Sequence, residues 1–174
     1  MTVGIHARLP MGGGFTLRDF TDSRVATRYG LYNVPRDVSV VANLKALAEQ
    51  VLVPLEVRFK RRVTILSAYR TETLNRLLGG VRGSAHVMGE GADILITGIR
   101  PADAALTTSA MDDLPFDQLV LERRYLGNGQ VQEWLHISHR RMNANRGEVL
   151  SAETRGGVRQ VCEGLGASVF ELAS

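Results

Sequence analysis

The sequence predicts an α+β domain built on a small, largely antiparallel sheet flanked by helices. From Arg36 to Phe59, the residues Val38, Val41, Leu44, Leu47, Ala48, Val51, Leu52 and Leu55 recur at the spacing of a helix with one buried face. Short apolar runs at Val63–Leu66 and Ile94–Ile96 read as buried strands. Gly127-Asn128-Gly129 is a strong turn signal between a strand at Gln118–Glu122 and a returning antiparallel partner at Val131–Ser138.

The chain in order fills in this frame. Met1 to Gly14 ends in Gly12-Gly13-Gly14 without periodicity and reads as an N-terminal arm or linker. Thr16 to Thr21 reads as a capped helical turn anchored by Phe15 and Phe20. Tyr29 to Pro35 is loop, and Pro54 is expected to kink or restart the long helix that follows. After the strand at Val63, Thr71 can cap a helix from Glu72 to Leu78 that ends at Gly79-Gly80, leaving Arg70 at a strand-to-helix junction. Pro101 begins another helix to about Met111, with Ala105 and Leu106 expected inward. On the return strand Trp134, His136 and Ser138 share one face. Residues 15–150 form the predicted domain, and 151–174 a C-terminal tail with a short helix near Val158 to Leu165.

At 174 residues, with 44% hydrophobic and 22% charged side chains, the chain is expected to be a single globular unit. The net charge of +3 rests almost wholly on arginine, Lys45 and Lys60 being the only lysines. An arginine surface suits an anionic partner such as a cell-wall polymer or nucleic acid, although a solvated arginine face is the commoner meaning of such a composition. Cys162 stands alone, which excludes an intrachain disulfide and a thiolate zinc site. The N-terminus lacks the pattern of a secretory signal, and no run approaches the ~18 apolar residues of a membrane span, so the expectation is a chain made in the cytoplasm. No glycine loop followed by lysine is present to cradle a nucleotide.

The chemistry concentrates in Ser84-Ala85-His86-Val87-Met88-Gly89-Glu90-Gly91-Ala92-Asp93. Asp93 opens the apolar run Ile94–Ile96, where an acid is costly unless a cation or a metal pairs with it. With His136 it completes a set of two imidazoles and a carboxylate, which suits Zn²⁺ with a position left open for water. His139, followed by Arg140 and Arg141, reads instead as an edge or surface histidine.

Ser67-Ala68-Tyr69-Arg70, the stretch from Ser84 to Asp93, and Glu133-Trp134-Leu135-His136, in that order, resemble the zinc D-alanyl-D-alanine carboxypeptidase family. That family includes murein endopeptidases, phage endolysins and the vancomycin-resistance D,D-dipeptidase, and shares its fold with the hedgehog signalling domain. The resemblance spans roughly Phe15 to Leu150. It implies that His86, Asp93 and His136 are zinc ligands, and that Glu133 is the general base acting on the attacking water and then on the leaving amine. It also implies that Arg70 stabilises the oxyanion, and that Ser84, beside the first ligand, hydrogen-bonds substrate. Gly91 stands where many members carry alanine, with a more flexible loop as the expected effect.

One geometric condition attaches to Glu133. In a regular strand it faces away from His136, so it reaches the metal only if the strand begins with a bulge or twist. The expected function is hydrolysis of peptidoglycan stem peptides next to D-alanine, by a carboxypeptidase or an endopeptidase such as a phage lysin. It would act on the wall after release or as part of a virion. The alternative is a virion or assembly module that keeps the peptidase fold with weak or no activity.

Overall fold

The computed structural model of the protein describes residues 8–166. Residues 1–7 of the expected arm and 167–174 of the expected tail lie outside the described residues. The rest of that arm is part of the fold. β1 (Pro10–Gly12) pairs with β2 (Phe15–Thr16), and Met11 is fully buried, so an apolar anchor invisible to periodicity ties the segment down. The helical turn α1 (Leu17–Thr21) follows, with the Asp19 carboxylate accepting from the Thr16 backbone N–H at 2.7 Å and from its hydroxyl at 2.8 Å. Phe15 and Phe20 meet edge to face with ring centroids 6.0 Å apart. α2 (Arg24–Arg28) is capped by Ser23.

The long helix α3 spans Val38–Phe59. Asp37 caps it through the Ser39 N–H, and Ala48–Leu52 forms a π-helical turn just ahead of Pro54. A proline inside a helix removes a donor and crowds the preceding turn; here the wider turn absorbs that misfit and the helix continues. By length and composition α3 could cross a membrane. Leu44, Leu47, Val51, Leu52 and Leu55 are nevertheless fully buried in the core with strand residues, as in the central helix of a globular domain.

Beyond α3, β3 (Val63–Ser67), β4 (Gly91–Ile96), β5 (Gln118–Tyr125), β6 (Val131–Ser138), β7 (Glu148–Arg155) and β8 (Val158–Glu163) form one sheet in the order β3-β4-β6-β5-β7-β8. Its pairs are antiparallel except β5 with β7, which is parallel. The region expected to be a tail with a helix near Val158 therefore contributes two strands, and the sheet runs past residue 150. Between β4 and β5 lies α6 (Pro101–Ser109), which buries Ala104, Ala105 and Thr108. Leu106, expected inward, is 66% exposed.

Strand alternation gives the sheet two unlike faces. Ile94, Leu119, Leu121, Leu135 and Ile137 point to the core shared with α3. Their neighbours along the same strands point the other way. Asp93 pairs with His136 between β4 and β6, and Val120 with His136 and Glu122 with Trp134 between β5 and β6.

Candidate metal centre

The site is assembled where the connection between β3 and β4 folds back over the sheet. β3 carries a bulge between Ile65 and Ser67, which sets Ser67 opposite Asp93. Thr71 caps α4 (Glu72–Leu77) by accepting from the Leu74 N–H. The chain then reaches a single-turn helix, α5 (Ala85–Met88), whose cap is Ser84: its hydroxyl accepts from the His86 N–H at 3.3 Å. α5 closes on Gly89 at φ 71°, and a Cβ there would lie 2.7 Å from the Val40 carbonyl of α3. The turn is thus seated directly against the core helix, and Asn43 of α3 donates to the Met88 carbonyl at 3.0 Å.

This seating aims His86 inward. The ring is buried, with Nδ1 2.7 Å from the Ala68 carbonyl. A carbonyl can only accept, so Nδ1 carries the proton and Nε2 turns its lone pair toward Asp93, 3.4 Å from Oδ1. Asp93 Oδ1 also lies 3.0 Å from His136 Nδ1, and the two imidazole rings are 4.9 Å apart. Arg70 completes the cluster: Nη2 donates to Asp93 Oδ2 at 2.6 Å, and Nε donates to the Ser67 hydroxyl at 2.9 Å. Burial depresses the pKa of His86 below the ordinary histidine value despite the adjacent carboxylate, which keeps the ring neutral and able to coordinate. Burial works against the Asp93 carboxylate, but the hydrogen bond from His136 Nδ1 outweighs it and helps hold its carboxyl far below the usual range.

His86, Asp93 and His136 each present a ligand atom within 4.8 Å of the others, and among the described residues they form the one such group. Two neutral imidazoles and an ionised carboxylate are a zinc donor set, and the carbonyl behind His86 is the kind of partner that fixes a ligating ring. The donors present fit the ion. The Asp93 carboxylate opens onto a cleft of about 1200 Å³ whose walls include Arg18, Arg24, Arg62, Arg124 and Trp134.

The other expected residues fall differently. Ser84 is engaged in capping α5. Glu133 is not brought to the cluster: pairing of β6 with β5 runs without a shift from Val131↔Tyr125 to Ser138↔Gln118. The bulge that Glu133 required is absent from that ladder, so its side chain points to the opposite face. There it accepts from Arg123 Nε at 2.8 Å and lines a separate cleft with Ile96, Pro101 and Val131. The expected role of Glu133 as general base is corrected on this ground. His139 is buried rather than at the surface, its Nδ1 2.6 Å from the Pro115 carbonyl. Gly91 also differs from expectation, because a Cβ there would lie 2.9 Å from Ala85 Cβ and 3.0 Å from His136 Cε1. A glycine at that position gives the His136 ring room.

Sequence reasoning passed over Glu122. It shares the face of Trp134 and His136, and its side chain is only 12% exposed, bound to Arg159 of β8. The signal lay in the hairpin: counting back from the Gly127–Gly129 turn puts Glu122 opposite Trp134 and Val120 opposite His136.

A two-histidine, one-aspartate cluster at the mouth of a cleft, carried by an α+β sheet, defines the class as a metal-dependent hydrolase. The profile of the Peptidase M15 family matches residues 14–138, and the chain belongs to that family of zinc metallopeptidases. No curated protein matches the chain.

Proposed function

We propose that the protein hydrolyses peptidoglycan stem peptides with zinc held by His86, Asp93 and His136. A bond next to D-alanine is the preferred target, cut by carboxypeptidase or endopeptidase action. The observation that carries the reading is the convergence of the three donors, one of which, Asp93, opens onto a cleft with an arginine-rich wall. Zinc in that position supplies Lewis acidity to a peptide carbonyl and lowers the pKa of water.

The protein's own groups then have defined tasks. Arg70 orients Asp93 through Nη2, and its fixed positive charge beside the cluster suits it to stabilise a carbonyl oxygen that becomes negative. The wall arginines suit the carboxylates of stem peptides. Arg18, Arg24 and Arg124 have no carboxylate partner within salt-bridge distance among the described residues. The place of action proposed with this chemistry is the cell wall, reached after release or as part of a virion. The test is release of new amino groups from purified peptidoglycan by zinc-loaded protein, beside His86→Ala. Hydrolysis by the wild type alone supports the proposal, and zinc binding without any hydrolysis rejects it.

A further inference from the structure

We propose that Glu122 is the general base of this site, taking the position that Glu133 cannot occupy. The inference rests on the peptidase reading for its chemistry, but its geometry stands apart from it.

Strand parity sorts the acids. In the unbroken β5–β6 ladder, Glu133 shares its face with Leu135 and Ile137, whereas Glu122 shares its face with Trp134 and His136. Glu122 is the diagonal neighbour of His136, one pair along from Val120, a separation of roughly 7–8 Å between such positions that a glutamate side chain can span in large part. Among the described residues of β4, β5 and β6, the acids on this face are Asp93, which is a ligand candidate, and Glu122.

The surroundings of Glu122 hold it ready for such a task. Its side chain is mostly buried, and Arg159 Nη2 donates to Oε1 at 2.5 Å while Arg159 Nε is 3.5 Å from Oε2. One oxygen is firmly held and the second only weakly, so a strong acceptor is left over. The arginine that anchors it comes from β8, outside residues 14–138 matched by the family profile. Arg124, paired with Gln132 one step further from the cluster, lies over the Trp134 ring at 5.4 Å. Arg159 is therefore a positioning residue, and Glu122 the group that meets the reacting water.

The chemistry balances without a further reagent. Glu122 Oε2 accepts a proton from water as the water oxygen bonds to the peptide carbonyl carbon. It returns that proton to the amide nitrogen as the C–N bond breaks, giving a carboxylate and an amine.

The test compares Glu122→Gln with Glu133→Gln in the full chain, with two readouts. The first is peptidoglycan hydrolysis by the zinc-loaded proteins, where Glu122→Gln is expected to lower kcat by at least ~100-fold, the usual scale of a general base, with zinc content unchanged. Glu133→Gln is expected to retain kcat. The second needs no turnover: the pH midpoint of the visible absorption of the cobalt-substituted protein should move in Glu122→Gln and stay put in Glu133→Gln. If the wild type hydrolyses nothing but the cobalt midpoint moves as stated, the peptidase reading falls and the placement of Glu122 stands. An unmoved midpoint, or full kcat with zinc retained, in Glu122→Gln overturns the proposal. So does failure of the wild type to bind either metal.

Discussion

The two faces of the sheet carry the same residue types at the same end and put them to opposite uses. On one face lie Asp93, His136, Trp134 and Glu122, of which Asp93 and Trp134 line a cleft, with Arg70 and Arg159 supplying charge. On the other, Arg123 joins Glu133 at 2.8 Å and the fully buried Glu153 at 3.5 Å, and the Tyr125 hydroxyl lies 3.4 Å from the same Glu153 oxygen. Both are arginine–carboxylate networks. The first leaves ligand atoms free to coordinate; the second spends its charges on one another around the fully buried Glu153. An acid's use in this molecule is set by the parity of its position, more than by its distance in sequence from a histidine.

The sharpest way to break this contrast is to remove a donor from the cleft face. Asp93→Ala should lose zinc affinity by more than the ~10–100-fold typical of groups standing behind a ligand, read by metal content after dialysis. It also leaves Arg70 without its carboxylate partner. On the inward face, Arg123→Met should leave zinc binding intact but lower stability by on the order of 3 kcal/mol, because Glu153 loses a buried counter-charge. Denaturant melts of metal-free protein measure it, and an unchanged midpoint would mean that the inward network is not structural. At Gly89, alanine must adopt a left-handed backbone and press on the Val40 carbonyl, so Gly89→Ala should cost roughly 1–3 kcal/mol.

A gentler probe is pH. His86 titrates below its ordinary value of 6.5 in the folded protein because burial disfavours the imidazolium. Below 6.5 the unfolded chain takes up a proton that the folded chain refuses, so this contribution to stability is complete above 6.5 and is lost as the pH falls. The melting temperature of metal-free protein should decline on the acid side of that value, and less so in His86→Gln. The smallest effect is expected for Gly91→Ala, where the added methyl meets Ala85 and the His136 ring. A few tenths of an ångström of ring movement should weaken zinc binding only several-fold, read by competition with a chelator.

The cluster of His86, Asp93 and His136 was legible in part because Asp93 stands at the mouth of an apolar strand, where a bare carboxylate is hard to accommodate. It also contained the reason for doubting Glu133, since a separation of three residues from His136 reverses the face in any regular strand. The hairpin was readable from its glycine turn, and with it the register that places Glu122. What could not be read was non-local. β7 pairs parallel to β5 across a long connection, and Val158–Glu163 alternates too weakly to announce an edge strand. Met11 is anchored by α3 and its neighbours, contacts that no local pattern encodes. The space around Gly91 depends on α5 crossing the end of β4, which composition cannot show.

The spacing of the ligands along the chain has a consequence for how the molecule resists damage. His86, Asp93 and His136 come from α5, β4 and β6, so an ion shared by them would bridge positions 50 residues apart and close the loop that carries α6 and β5. A bridge of that length restricts the unfolded chain as a covalent cross-link does, and its influence grows only slowly with the loop it closes. Metal loading would then govern the lifetime of the whole sheet. Proteases would find the connection between β4 and β6 an accessible substrate when the ion is stripped and a guarded one when it is bound.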